Sequence, residues 1–363
     1  MDTDAHATLH QLLDANRHFA LLARGPTNHC PMVLCALADM GASAARLQDF
    51  FDTWSKHYAV PAGAETNIIE RVDWCNALGQ NDAFNALQRC FVEWIACDGS
   101  AVVMAQVLPR AVAAPASVAF HALIRLGHGL AVDNGSEIAA GLAAFVTNPL
   151  QLTPTATSGL DLAAVSAPPA SDKTVAEELA LLQQACAGVM VTGNWINDRL
   201  QQVAQHVDFI HAFRPIAASR QRIDELAEAA IRLFWRTKNF TALHMVTVVH
   251  AARRVCPVLP PTQATLLLAE LWRAFCAAYI SVLATNNNAD WQSPIESTQR
   301  SAESDWQPLL HAAVASNDDH VIKLVQACWH ESKRALVLPA PPPTTVLYHL
   351  AAARACGLNT ATR

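Results

Sequence analysis

Apolar residues along this chain recur three and four positions apart, and period-two alternation is nearly absent. Residues 4–24 put Leu9, Leu12, Leu13, Phe19 and Leu22 on one side of a first helix, which Gly25-Pro26 ends. Pro31 near the first helical position and Gly41 at the end frame a short second helix. Residues 43–58 form an amphipathic third, closed by the turn Val60-Pro61-Ala62-Gly63. Segments 65–79, 81–97 and 100–108 continue the helical pattern, with Trp74, Phe84, Phe91 and Trp94 as large core candidates. From Ser117 the chain lines up Val118, Leu123, Leu126 and Leu130 on one side of a helix. The turn Asp133-Asn134-Gly135-Ser136, with Ser136 as N-cap, leads into an Ala-rich helix over 137–147.

Residues 148–173 hold Pro149, Pro154, Pro168 and Pro169 and are the best linker candidate. The chain therefore reads as one helical domain over 1–363, or as two packed halves, 1–147 and 174–363, joined by this segment. Helices follow at 174–187, 193–211, 219–236, 239–254 and 262–284, and Asn286-Asn287-Asn288 breaks the last. Pro308 opens another through Ala315, Asn317-Asp318-Asp319 caps one from His320 to about His330, and a final helix spans 344–356. The pattern predicts an all-α fold, a large multi-helix domain.

Composition sharpens this. Hydrophobic residues are 52% of the 363 and charged residues only 15%, against about 25% charged in a typical globular chain. That balance points to much buried surface, a substantial pocket or a subunit interface, and makes a homodimer an expectation. A membrane span is not expected, because Pro109, Arg110, Pro115, His121 and Arg125 break the apolar runs. The N-terminus carries Asp2 and Asp4 where a signal peptide carries basic residues, so a cytoplasmic protein is expected. A net charge of −6 without a basic stripe argues against nucleic acid as partner. The ten cysteines form no Cys-x-x-Cys pair and read as small buried apolar residues.

No Gly-x-Gly-x-x-Gly, P-loop, Gly-x-Ser-x-Gly or His-Glu-x-x-His occurs, so a dinucleotide domain and nucleophilic catalysis lack support. Histidine remains. Most of the fifteen lie inside apolar segments rather than in a polar tract. His29 stands on the connection before the second helix, where capping or a surface position is the plain alternative to a site role. His121 and His128 are seven apart and share a helix face, which core packing explains as readily as function. His244 and His250 are six apart, roughly 120° around a helix, so one of them at most faces inward. His320 and Lys323 are neighbours on a first turn. A lysine ammonium beside a metal is repelled, so a role there needs lowered basicity or conversion to a carbamate. No pair has the tight spacing of a metal motif, and any site is assembled from distant helices.

Taken together, these segments resemble the questin oxidase-like family, whose fungal members oxidise anthraquinones and related polyketides. The family's Asn-His before an apolar helix is similar to Asn28-His29 through Gly41-Ala42. Its His-Pro-Leu-Ile-His-x-Gly-Tyr-Gly is similar to His121 through Gly129. Its Met-His-x-Val-Thr is similar to Leu243-His244-Met245-Val246-Thr247, and its Asp-x-His-x-x-Lys to Asp318-Asp319-His320-Val321-Ile322-Lys323. The resemblance implies a central histidine-lined pocket with an Fe(II) or other first-row metal held by His29, His121, His244, His320 and a carboxylated Lys323, and it favours His244 over His250. Two departures stand out. Arg125 occupies the position of the family's second histidine, and His128 that of its tyrosine. Either that histidine is a ligand, with His128 compensating, or it meets substrate, with Arg125 serving a phenolate or carboxylate.

The leading expectation is thus an oxygenase of an aromatic, phenolic or quinone-like compound, using dioxygen, with His250 and His128 as bases or supporting groups beside Arg125. NAD(P)H enters only as an external reductant. Two other readings stay open: a metal-dependent hydrolase, and a non-catalytic helical binding protein for an apolar ligand.

Overall fold

The computed structural model describes residues 3–24, 27–63, 68–111, 114–153, 170–286 and 305–358, and every regular element among them is helical. The fold is all-α, as the periodicity predicts. In chain order the first seven helices are α1 (Thr3–Asn16), α2 (Cys30–Asp39), α3 (Ala44–Tyr58), α4 (Phe84–Asp98), α5 (Ser100–Ala111), α6 (His121–Ala131) and α7 (Gly135–Thr147). There follow α8 (Val175–Ala185), α9 (Ile196–Ala204), α10 (Val207–Ala212), α11 (Arg220–Thr237), α12 (Phe240–Val255) and α13 (Pro261–Thr285). The last three are α14 (Gln307–Ala315), α15 (Asp319–Leu336) and α16 (Thr345–Ala355).

Local competition moves several boundaries. α1 stops at Asn16, not at residue 24, because the following arm pairs its backbone elsewhere: Ala20 N–H donates to Val60 O and Ala62 N–H to His18 O. Leu22, placed on the core side by the periodicity, is exposed. The segment expected as a helix over 65–79 carries only a 3-10 turn at Trp74–Ala77 among its described residues. The helix expected over 193–211 is two, since His206 leaves helical geometry and its ring caps α10 by accepting from Asp208 N–H. Asn134, rather than Ser136, caps α7, and Ser136 donates to Asp14 instead. Gly25-Pro26, Pro154, Pro168 and Pro169 lie outside the described residues.

Four helices frame the interior. α2 packs on α6, α6 on α12, α12 on α15, and α15 back on α2, closing a ring. Small residues permit the close approach of α6 and α12. A β-carbon at Gly127 would lie 2.9 Å from that of Ala251, too near for any side chain there. The four helices run the same way, because residues at their N-terminal ends meet one another and so do residues several turns on, as described below. Long excursions through the remaining helices make this parallel arrangement possible. Among the described residues α13 alone is long and apolar enough to cross a bilayer, and 67% of its apolar window is buried, with packing against α8, α9 and α12.

A four-histidine candidate metal centre

The N-terminal ends of these four helices each present one imidazole. His29 is the N-cap of α2, His121 the first residue of α6, His244 the fifth of α12 and His320 the second of α15. Their rings form a closed circuit. Centroids are 4.6 Å apart for His29 and His121, 4.9 Å for His121 and His244, 5.6 Å for His244 and His320, and 4.9 Å for His320 and His29.

Three of the four rings are oriented through Nδ1. His29 Nδ1 meets Asp319 Oδ2 at 2.8 Å, His121 Nδ1 meets Val118 O at 2.7 Å, and His244 Nδ1 meets Phe240 O at 2.8 Å. His320 is held more loosely, with Nδ1 4.0 Å from Asp318 Oδ1. A carbonyl or ionised carboxylate accepts, so these Nδ1 atoms carry the proton and leave a lone pair on Nε2. All four Nε2 atoms are buried without a hydrogen-bond partner.

Local structure explains the placement. Asn28 fastens the loop before α2 by donating to Asn16 and Ala20 O while accepting from Cys30 N–H. Before α6, Val118, Ala119 and Phe120 are all left-handed, with φ of 52°, 53° and 72°. This costs each roughly 1–2 kcal/mol. The turn aims the Val118 carbonyl at His121, and Asn197 steadies it by accepting from Ala119 N–H at 2.9 Å. Asp318 caps α15 through His320 N–H and Val321 N–H.

Burial dominates the electrostatics. It pushes His29 and His121 well below the ordinary imidazole value, with Lys323 and the other rings adding to the effect. His244 falls to about 3 and His320 to about 4, again through burial first and the Lys323 charge next. Burial also brings Lys323 down to about 8, opposed by Asp319 and Asp318. All four imidazoles are therefore neutral at neutral pH, the form that binds metal.

Thus His29, His121, His244 and His320 converge, with Lys323 within electrostatic reach of all four. Asp319 adds a carboxylate that periodicity does not single out. One atom each of His29, Asp319 and His320 lie within 4.8 Å of one another. Asp319 nevertheless spends Oδ2 on His29 Nδ1, which makes it an orienting group for that ring rather than a member of the Nε2 set. The donor set fits a transition metal: imidazole nitrogens, preoriented, dry and otherwise unsatisfied.

The other expected residues stand elsewhere. Arg125 turns to α7, where its Nε and Nη2 donate to Glu137 at 2.7 and 2.9 Å in the interior. Its expected role against a ligand's phenolate or carboxylate is corrected to that of a buried structural ion pair. His244 and His250 both face inward, contrary to the expectation of one at most. α12 is packed by α6, α11, α13 and α15, so directions 120° apart are both interior. His250 and His128 lie further along the ring, apart from the four imidazoles. His311, whose sequence context resembles that of His121, is exposed on α14.

Compared with known proteins, the sequence model of a family described as Questin oxidase-like matches residues 27–328, a span holding all five candidate ligands. No curated protein matches the chain.

Proposed function

This chain belongs to the questin oxidase-like family, and we propose that it is a metal-dependent oxygenase acting on an aromatic, phenolic or quinone-like small molecule. The family's description points to an oxidoreductase. One observation carries the metal reading. Four Nε2 atoms from four helices are buried with no partner, and each unmet buried polar atom costs about 1–3 kcal/mol. A first-row divalent cation held by His29, His121, His244 and His320 satisfies all of them at once. Fe(II) suits imidazole ligands and an oxidase-type reaction. When bound, it supplies a Lewis-acidic redox centre able to engage dioxygen.

Lys323 provides the anionic ligand. Burial to about 8 gives its amine a substantial neutral fraction, the form that attacks carbon dioxide. The N–C bond forms as one C=O π bond of carbon dioxide opens, two protons in all leave the original ammonium, and a group that repels metal becomes a carbamate that attracts it. The positive ends of four helix dipoles favour negative charge at this spot.

The protein's own groups also define the open side. Phe240 is 51% exposed, yet its ring centroid is 4.5 Å from that of His244 and 4.7 Å from that of His320. An aromatic compound stacking there meets the centre edge-on and sheds water from it. Reducing equivalents come from an external donor such as NAD(P)H.

Metal analysis of protein purified without an affinity tag tests the centre, with about one first-row metal per chain expected. Oxygen uptake with hydroxyanthraquinones tests the reaction. Metal-loaded protein that hydrolyses an ester but consumes no oxygen would refute the oxygenase reading.

A further inference from the structure

Two turns beyond the four imidazoles, a second polar cluster occupies the interior of the same ring. His128 lies seven residues past His121 on α6, His250 six past His244 on α12, and Gln326 and His330 six and ten past His320 on α15. At about 1.5 Å per residue they sit roughly 9–15 Å further along the helices. Asp39, the last residue of α2, completes the set. His128 and His250 are the chain neighbours of Gly127 and Ala251, which are in close contact between α6 and α12.

The cluster is ordered from surface to interior. Asp39 and His330, about a third exposed, pair at 2.6 Å, and Gln326 donates to the same Asp39 oxygen at 2.6 Å. The His330 ring stacks on that of His250 at 5.4 Å. His250 Nδ1 donates to Glu331 Oε1 at 2.8 Å, and Arg253 holds both oxygens of that carboxylate. Burial alone would raise Glu331, but the bonds to His250 and Arg253 bring it down to about 2, so it stays ionised. Three atoms remain buried and unpartnered: His250 Nε2, His128 Nδ1 and Gln326 Oε1. These are the partners an interior water needs, and none belongs to the metal set. Lys323 joins the two clusters by position: it is buried on α15 midway between His320 and Gln326. Arg254 and Arg253 from α12, His330 and Glu331 from α15, and Asp39 from α2 are the other charged or titratable groups around the two rings.

We propose that this column is a proton path between bulk solvent and the rear of the four-histidine centre. A proton taken up at the Asp39–His330 pair passes by way of interior water to His250 Nε2, making a transient imidazolium whose Nδ1–H stays on Glu331. It then passes through water to His128 Nδ1, and His128 gives up its Nε2 proton on the Lys323 side, returning to a neutral ring. Each transfer forms one N–H or O–H bond and breaks another, and no electron moves. The proposal rests on the metal reading of the four imidazoles. An aromatic compound at Phe240 closes the front of the centre to water, and the column supplies protons from behind. Burial keeps both rings neutral at rest, His250 at about 4, so the imidazolium is transient.

Cobalt(II) is a suitable probe, because its visible band reports the protonation of its surroundings, and a saturating colourless aromatic such as naphthalene keeps the front at Phe240 closed during the measurement. A temperature jump in a buffer whose pH falls on warming reads how fast that band relaxes. In His250→Phe and His250→Gln, cobalt stoichiometry and the start and end spectra stay those of the wild type. Relaxation slows at least about tenfold, and millimolar imidazole in solution restores it. Circular dichroism selects the folded variant, and the milder Glu331→Gln is expected to slow relaxation as well. Relaxation at the wild-type rate in the folded variants overturns the proposal, as does a wild-type band that does not move with pH. A wild-type protein that binds no cobalt fails the metal reading itself.

Discussion

Asp319 reaches back across 290 residues of sequence to place Oδ2 2.8 Å from His29 Nδ1. This contact ties the start of α15 to the start of α2 and fixes which nitrogen of His29 keeps its lone pair. Removing the acceptor charge in Asp319→Asn frees the ring to rotate. Metal affinity is expected to fall about 10–100-fold, as read by competition with a chelator, with the circular dichroism spectrum unchanged. Equal affinity in the two proteins would make the contact incidental.

Metal removal should lower stability without unfolding the chain, because the ring of helices is packed independently of the ion. At free metal 100-fold above its dissociation constant, binding adds about 2.7 kcal/mol. Calorimetry of chelator-treated protein should show a melting temperature lower by several degrees, restored by Fe(II) under anaerobic conditions. His121→Ala should abolish that metal-dependent shift.

The metal-free protein should lose stability as acid is added. His244, at about 3, and His250 and His320, at about 4, stay neutral when folded. Unfolding returns each to its ordinary value near 6.5, so between pH 6.5 and 4 the unfolded state binds more protons. Stability contributed by the neutral rings is intact above 6.5 and falls below it, by at most about 1.4 kcal/mol per pH unit for each. Urea midpoints measured from pH 7.5 to 4.5 check this, and a flat profile would contradict the burial of these rings.

Arg125→Ala leaves the Glu137 carboxylate buried and unpaired, which costs about 3–5 kcal/mol. Denaturant titration should show the loss. Removing both charges in Arg125→Met with Glu137→Leu should recover most of it. Metal content of the folded double variant is expected to match the wild type, since neither side chain touches the imidazoles.

Phe240→Ala removes one aromatic contact worth about 0.5–1.5 kcal/mol. Binding of a hydroxyanthraquinone, followed by its absorbance, should weaken about two- to tenfold while metal stoichiometry holds. An unchanged affinity would place the aromatic compound away from this face.

Periodicity was enough for the all-α fold and for most helix spans, because burying one face of a helix leaves a repeat of three and four in the chain. It also put His121 and His128 on one face correctly. The four ligand candidates carry no local signature, and only their resemblance to a family made them stand out together. Tertiary structure decided the rest. Leu22 looks like a core residue until backbone pairing pulls its segment out of the helix. His244 and His250 look mutually exclusive until packing surrounds α12. Asp319 reads as part of a helix cap, and nothing in the chain singles out Glu331, until each is found against an imidazole, 290 and 81 residues away. Helical order is written in contacts a few residues long, and the chain displays those. A site built where four parallel helices begin depends on how distant segments stack, and that is set only when the whole core closes.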